Sequence, residues 1–271
     1  DLALLATDSG ISRQFAPAAR AAGTVVIDAS SAFRMDADVP LVVPEANGEE
    51  LASHTGLIAN PNCVAAIATV ALAPLNRSYS IRRLNLATYQ AASGAGQAGM
   101  DELEQATRAH LQGETYPPSE FPHPYAFNFF SHNSEMDPES GHNGEELKVV
   151  AETRRILGLA RLPVGVTCIR VPILRAHGMA VSVEFDNVVT ADEVRALLSE
   201  APGVRVVDDV GRNYFPMPSD VNGGDDVLVG RIRQDLGDPS GRTMALFIVG
   251  DQLLKGAALN AVQIAEHLLA G

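Results

Sequence analysis

The chain has 271 residues, 46% of them hydrophobic, and 33 Asp and Glu outweigh 20 Lys and Arg to give a formal charge of −13. This length allows about two domains and a sizeable core. The scattered acidic excess disfavours nonspecific binding to nucleic acid or to an anionic membrane, so an anionic substrate needs a local cluster of Arg and Lys.

Two cysteines, Cys63 and Cys168, offer neither a disulfide framework nor a metal-ligand spacing, and no apolar run reaches membrane-spanning length. A protein of the reducing cytoplasm is expected, with no metal, nucleic acid or membrane as partner. Leu2-Ala3-Leu4-Leu5-Ala6 reads as a buried parallel strand, with Thr7-Asp8-Ser9-Gly10 as its turn. Ile11, Phe15, Ala18, Ala19 and Ala22 lie at helical spacing before Gly23, and Val25-Val26-Ile27-Asp28 is a second strand. A β-α-β unit of this kind predicts a parallel, helix-covered sheet, the architecture that commonly holds dinucleotides. Ser30 to Arg34 then falls where ligand-facing loops of such sheets lie, although a lone Arg is more often simply solvated.

Asn60-Pro61-Asn62-Cys63 is the junction around which the chain is organised. It closes the apolar run Gly56 to Ala59 and opens another from Val64 to Leu75. Pro61 cannot donate to a sheet ladder and Asn62 is a good N-cap, so Cys63 is placed in the first turn of a helix. Free backbone N–H groups and the helix dipole there should lower the thiol pKa and make Cys63 a nucleophile. Spacing alone equally describes a small buried residue starting a core helix.

Further on, Leu84 to Tyr89 alternates as a strand, Ser93-Gly94-Ala95-Gly96 turns, and Gly99 to Leu111 continues as a helix. Residues 112–144 hold five prolines and little periodicity, which predicts a long irregular connection; His123, His132 and His142 there lack metal spacing. Glu145 and Lys148 stand one turn apart on a helix reaching about Leu157, an arrangement that an exposed ion pair would also explain. Arg170 sits inside the apolar strand Val164 to Ile173, where a guanidinium is costly unless it meets an anion. Ala180 to Phe185, Val204 to Asp208, Val227 to Ile232 and Met244 to Val249 are further strands, Ala191 to Ser199 is an amphipathic helix, and a last helix runs from Gly256 to about Leu269. Short turns between sequential strands predict an antiparallel or mixed sheet covered by helices.

Four stretches in fixed order, Asn60-Pro61-Asn62-Cys63, Ala87 to Gly96, Arg170 to His177 and Lys255 to Asn260, closely resemble the aspartate-semialdehyde dehydrogenases. The likeness runs from about Asp1 to the C-terminus. It implies a Rossmann-like dinucleotide domain (1–62), a catalytic and dimerisation domain of α+β type (63–249) and a C-terminal helix returning to the first domain (250–271). It also implies NADPH-dependent, phosphate-linked reduction of aspartyl phosphate to aspartate semialdehyde, in lysine, threonine and methionine biosynthesis, by a homodimer or homotetramer. By resemblance Cys63 is the nucleophile, His177 the acid/base and Gln90 the residue that orients the reacting groups. Arg170 takes the substrate carboxylate, Glu145 its ammonium, Arg34 and Lys148 the phosphate, and Asn62 belongs to the substrate site. Ser93, Gly94 and Asn260 approach the cofactor.

Three features depart from the family. No G-x-G-x-x-G loop precedes a helix, which implies that the first part of the dinucleotide domain is missing from this sequence. Residues Phe129 to Ser134 look diverged, which suggests subunit contacts rather than chemistry, and Gly178 stands where Ser or Ala is common. N-acetyl-glutamyl-phosphate reductase is the nearest competitor within this mechanism, and a noncatalytic paralogue serving as a binding or scaffold subunit is the alternative from another class.

Overall fold

The computed structural model describes residues 1–270. Its first layer is a three-stranded parallel sheet, β1 (Leu2–Leu5), β2 (Val25–Asp28) and β3 (Leu57–Ala59), in that order. Helix α1 (Ser9–Ala21) crosses from β1 to β2, capped by Asp8, whose carboxylate accepts from the Gly10 and Ile11 N–H groups. β1 is parallel as expected but not buried. Among the described residues β1 pairs only with β2, and Leu2 and Leu4 are exposed. Between β2 and β3 the chain forms α2 (Pro44–Asn47) and a 3-10 turn (Gly48–Ser53).

Helix α3 (Cys63–Tyr79) is the central pillar: every side chain from Val64 to Leu75 is buried. It leads into a seven-stranded mixed sheet built from β4 (Ile81–Gln90), β5 (Phe130–Ser131), β6 (Val164–Arg170), β7 (His177–Phe185), β8 (Val204–Val206), β9 (Val227–Gln234) and β10 (Thr243–Gly250). The strand order is β5-β6-β4-β7-β10-β9-β8, with β4–β6 and β8–β9 parallel and the other pairs antiparallel. α4 (Gly96–Leu111) follows β4, α5 (Gly144–Ile156) precedes β6, α6 (Ala191–Ser199) precedes β8 and α7 (Pro218–Val221) precedes β9. Capping boxes fix the starts of α5 (Asn143 with Glu146) and α6 (Thr190 with Glu193).

The expectation of a helix-covered mixed sheet holds for one face only. Leu84, Leu86, Met179, Val181, Val183, Leu246 and Ile248 pack with α3 in the main core. On the opposite face Asn85 is exposed, Tyr89 is 37% exposed and Ala180 and Ser182 are half-buried, and among the described residues only the short α7 touches this face, where its Val221 packs with Leu228 and Val249 beside Phe247. The last helix also differs from expectation. Residues Leu254–Ala258 form a π-helical turn, and regular helix α8 (Leu259–Ala270) begins only after it. α8 lays Ala261 and Ile264 against Ile27, Val42 and Ile58 of the first layer. Among the described residues no helix is long and apolar enough to cross a membrane.

Candidate active site

Strand alternation assembles the site. Gln90, Arg170 and His177 end or begin three adjacent strands, β4, β6 and β7, and Gln90 pairs directly with Arg170 in the register. Each shares the parity of its strand's buried residues (Leu86 and Thr88, Cys168, Met179), so all three face the helices, where α3 and α5 deliver Cys63 and Glu145. Periodicity can locate each strand, but only pairing puts the three ends side by side.

The nucleophile turn is held from every side. Asn62 caps α3 through Oδ1, accepting from Val64 N (2.9 Å) and Ala65 N (3.3 Å), and its Nδ2 donates to Glu145 Oε1 (2.9 Å). Asn62 N donates to Glu152 Oε2 (2.6 Å), whose other oxygen accepts from Arg34 Nη1 (3.1 Å). Arg34 also donates to the Asn60 and Ala29 carbonyls, both at 2.9 Å. Glu152 lies seven residues beyond Glu145 on the same face of α5, a spacing that could have flagged it in the sequence. From the other side, Asn260 Nδ2 donates to Asn60 Oδ1 (2.7 Å) and to Val42 O (2.9 Å), while its Oδ1 accepts from the buried Lys255 Nζ (2.9 Å). Asn260 is 0% exposed with its amide engaged by protein groups, so it braces the turn rather than lining an open cleft. Gly256, in the π turn, packs on the nucleophile; a Cβ there would stand 2.8 Å from Cys63 Cβ.

The thiol behaves opposite to the sequence expectation. Burial pushes Cys63 up to about 12 and nearby Glu145 adds to the rise, against the lowering influence of Arg170, Arg34 and the Val64 N–H. Desolvation in the cleft outweighs the helix start. His177 is displaced downward, to about 3, by burial and then by Arg170, so it rests as neutral imidazole. Ala91 N donates to its Nδ1 at 3.1 Å, and its Nε2, 0% exposed, has no hydrogen-bond partner among the described residues. Gln90 Nε2 donates to Glu145 Oε1 (3.1 Å) and its Oε1 accepts from Thr88 Oγ1 (3.0 Å). Burial raises the Glu145 carboxyl, but His132, the Asn62 and Gln90 amides and Lys148 outweigh it and hold it below the usual range. Lys148 itself stands exposed at the rim.

Arg170 is 4% exposed, and no carboxylate among the described residues bonds it. Its guanidinium donates to Ala91 O (3.0 Å), His132 Nε2 (3.0 Å) and Asn133 Oδ1 (3.3 Å), and Phe121 lies 5.6 Å below it. A buried cation with only neutral acceptors is set to receive an anion. Within the segment Phe129 to Ser134, His132 and Asn133 therefore reach the site, so the segment carries more than subunit contacts. Gly94 seals the same corner: a Cβ there would fall 2.7 Å from Arg170 Nη1 and 3.4 Å from His177 Nε2. Ser93 is buried and bonded by Gln252 Nε2, and Gln252 Oε1 accepts from Ala176 N (2.8 Å), tying the loop after β4 to the start of β7. Nothing in the sequence pattern singles out Gln252.

These groups form a set with a nucleophile, an unpartnered imidazole nitrogen and a pair of opposite charges. Family models agree with that chemistry. One described as semialdehyde dehydrogenase, dimerisation domain, matches residues 72–255, and one described as semialdehyde dehydrogenase, NAD binding domain, matches residues 1–54. The chain belongs to the semialdehyde dehydrogenase family. Aspartate-semialdehyde dehydrogenase of Prochlorococcus marinus is 46% identical over 99% of this chain and 78% of that protein. The Bacillus subtilis relative of the same name is 41% identical over 99% and 79%. The structure of aspartate semialdehyde dehydrogenase II from Vibrio cholerae complexed with ASA superposes with a TM-score of 0.95 at 40% identity, over 99% of this chain and 79% of that one. The semialdehyde dehydrogenase family is one of oxidoreductases, and the mixed α/β fold and the recognised motifs agree with membership.

Proposed function

We propose that this oxidoreductase reduces aspartyl phosphate to aspartate semialdehyde, reversibly and with release of phosphate, through a thioester on Cys63. The observation that carries the reading is the convergence of Cys63, Gln90, Glu145, Arg170 and His177 on one end of the seven-stranded sheet, with Arg170 bonded only to neutral acceptors. Arg170 and Glu145, cation and anion side by side, fit the carboxylate and ammonium of an α-amino acid. An acid lacking the amino group, or carrying it acylated as in an N-acetyl-glutamyl substrate, leaves the Glu145 carboxylate unanswered. A scaffold subunit has no use for the set.

In the reaction Cys63 Sγ attacks the acyl carbon, the C–O bond to phosphate breaks and a thioester remains. The resting thiol is protonated, so the attack is coupled to proton removal inside the cleft. His177 accepts from Ala91 N at Nδ1, so its neutral ring carries the proton on the inward-facing Nε2 and gives it to the developing oxyanion, while the thiol proton leaves with the phosphate. Gln90 and Asn62 hold Glu145, Lys148 at the rim meets the phosphate, and Arg34 keeps two N–H groups for it while locking the turn. Cys63 leads from the C-terminal end of β3, the edge of a parallel sheet where dinucleotides lie, and Gly94 presents bare backbone beside His177, so the residues present fit a nicotinamide dinucleotide. Ser93 and Gly94 would hold it, and when bound it supplies the hydride that reduces the thioester. NADP is our reading of the cofactor.

The sheet face carrying Tyr89, Ala180 and Ser182 falls within the match to the dimerisation domain, and we assign it to the contact with a second copy of the chain. A cytoplasmic enzyme fits its two free thiols. The test is phosphate-dependent reduction of NADP and of NAD in the presence of aspartate semialdehyde. Turnover that requires phosphate and favours NADP supports the proposal; a folded protein, extended at its N-terminus to the length of its relatives, with no turnover on either cofactor rejects it.

A further inference from the structure

We propose that His132 is a positioning residue whose neutral ring seats the Arg170 guanidinium and, through Ser134, ties it at fixed spacing to Glu145, so that residues 130–134 set which substrates the site accepts. The inference rests on the reading of Arg170 and Glu145 as the groups that grip an α-amino acid.

The register delivers the ring. β5 pairs antiparallel with β6, Phe130 opposite Arg170 and Ser131 opposite Ile169, and His132 N donates to Cys168 O at 2.9 Å. His132 therefore shares the helix side of the sheet with Arg170 and Cys168. Its two nitrogens have different partners. Arg170 has no lone pair, so it must donate to Nε2 (3.0 Å), which leaves the proton of the neutral ring on Nδ1. Nδ1 lies 3.2 Å from Ser134 Oγ and donates to it. The Ser134 N–H also points at Nδ1 from 3.2 Å, but a ring with one proton cannot accept at both nitrogens, and the shorter, charge-assisted bond from Arg170 claims the lone pair on Nε2. Ser134 Oγ also accepts from Glu145 N (2.9 Å) and gives its own proton to Asn143 Oδ1 (3.3 Å). One hydroxyl oxygen thus joins the acceptor under Arg170 to the first turn of α5, which carries Glu145.

The choice of acceptor matters as much as its place. A carboxylate at this position would compensate Arg170 internally and weaken its pull on a substrate carboxylate; an imidazole orients the guanidinium and leaves its charge available. Burial and Arg170 press the ring down to about 4, so it remains neutral at physiological pH. Arg170 from β6, with Glu145, Glu146 and Lys148 from α5, are the charged groups facing it, and His177 lies across the cleft. Beneath the guanidinium, Phe121, Tyr125 and Phe130 close the remaining side.

The experiment compares His132→Phe, which keeps bulk and removes the acceptor, with His132→Gln, which keeps an acceptor and a donor. His132→Phe is expected to raise KM for aspartate semialdehyde about tenfold or more, with kcat and KM for the dinucleotide within about threefold; Gln should restore most of the loss. The preference for aspartate semialdehyde over succinate semialdehyde should fall in Phe and Ser134→Ala and persist in Gln. An unchanged KM in Phe, equal losses in Phe and Gln, or a parallel decline in kcat and cofactor binding overturns the proposal. A second readout does not depend on turnover: NMR titration of the His132 ring in the wild type and in Arg170→Gln. A midpoint well below 6.5 that climbs in the variant supports the contact, and the same midpoint in both proteins overturns it. If the wild type reduces dinucleotide with neither semialdehyde, the substrate reading fails while the titration still decides the contact.

Discussion

Arg34 and Arg170 are both buried arginines beside Cys63, yet they occupy opposite electrostatic situations. Arg34 faces the Glu152 carboxylate and two backbone carbonyls, on the side of the site built from the first sheet and α5. Arg170, at the end of β6, faces a backbone carbonyl, an imidazole and an amide. The first has its charge answered and serves mainly to lock the nucleophile turn. The second is held in direction but not neutralised, which is the state a binding cation needs. Burial of an arginine therefore says little by itself; the charge of its partners separates a brace from a clamp.

The largest effect expected is at the point the two arginines flank. Cys63→Ala should lower turnover about 10⁴-fold or more while the thermal unfolding midpoint stays near that of the wild type, because the turn is held by Asn62, Glu152 and Asn260 and not by the sulfur. Substantial residual rate in a folded variant would sink the covalent mechanism. Lysine at each arginine then tests the contrast directly. Arg170→Lys should cut kcat/KM for aspartate semialdehyde by about 10- to 100-fold, since a point-charge ammonium cannot reproduce a planar clamp. Arg34→Lys should appear chiefly as a lower unfolding midpoint, because it loosens a buried pair that spans residues 34 and 152. Equal kinetic losses at both positions, with equal stability, would erase the distinction.

The same contrast predicts a pH dependence. With burial pushing Cys63 well above neutrality, the thiolate is a minor species at pH 7, and its fraction grows tenfold for each unit of rising pH. Alkylation of Cys63 by iodoacetamide should therefore climb with unit slope from pH 6 to 10 without a plateau. A plateau below pH 8 would mean that the helix start and the two arginines outweigh desolvation. His177, pressed down to about 3, should contribute no inflection to that profile above pH 5.

Much of this was legible in the residues. The strand–turn–helix at Asn60 to Cys63, the helix at 191–199 and the strands ending near Gln90 and Arg170 follow from periodicity and turn chemistry. The motifs in their order name the family. Three things were not legible, each for a physical reason. Strand order brings β5 beside β6 across the intervening residues 132–163, which include α5, so no local pattern places His132 on Arg170. The thiol's direction of shift depends on how much protein surrounds it, and a helix-start argument contains no desolvation. By resemblance Asn260 approaches the cofactor, whereas after a π turn at Leu254–Ala258 it is bonded to Asn60, and π turns have no sequence period of their own.

The smallest predicted effect probes how tightly the clamp is set. At Gly94 a β-carbon would lie 2.7 Å from Arg170 Nη1, inside any tolerable contact, and 3.4 Å from His177 Nε2, an ordinary one. Gly94→Ala should therefore move the guanidinium and leave the imidazole where it is. The displaced Nη1 would weaken its 3.0 Å bond to Ala91 O, while the bonds to His132 and Asn133 would still hold the head within the cleft. The expected cost is about 1 kcal/mol, or about threefold to tenfold in KM for aspartate semialdehyde, with a rise in KM for the dinucleotide that meets the same backbone and kcat little changed. A drop in kcat instead would show that the methyl group disturbs His177, and that the arginine, being the far end of a long side chain, yields at no cost.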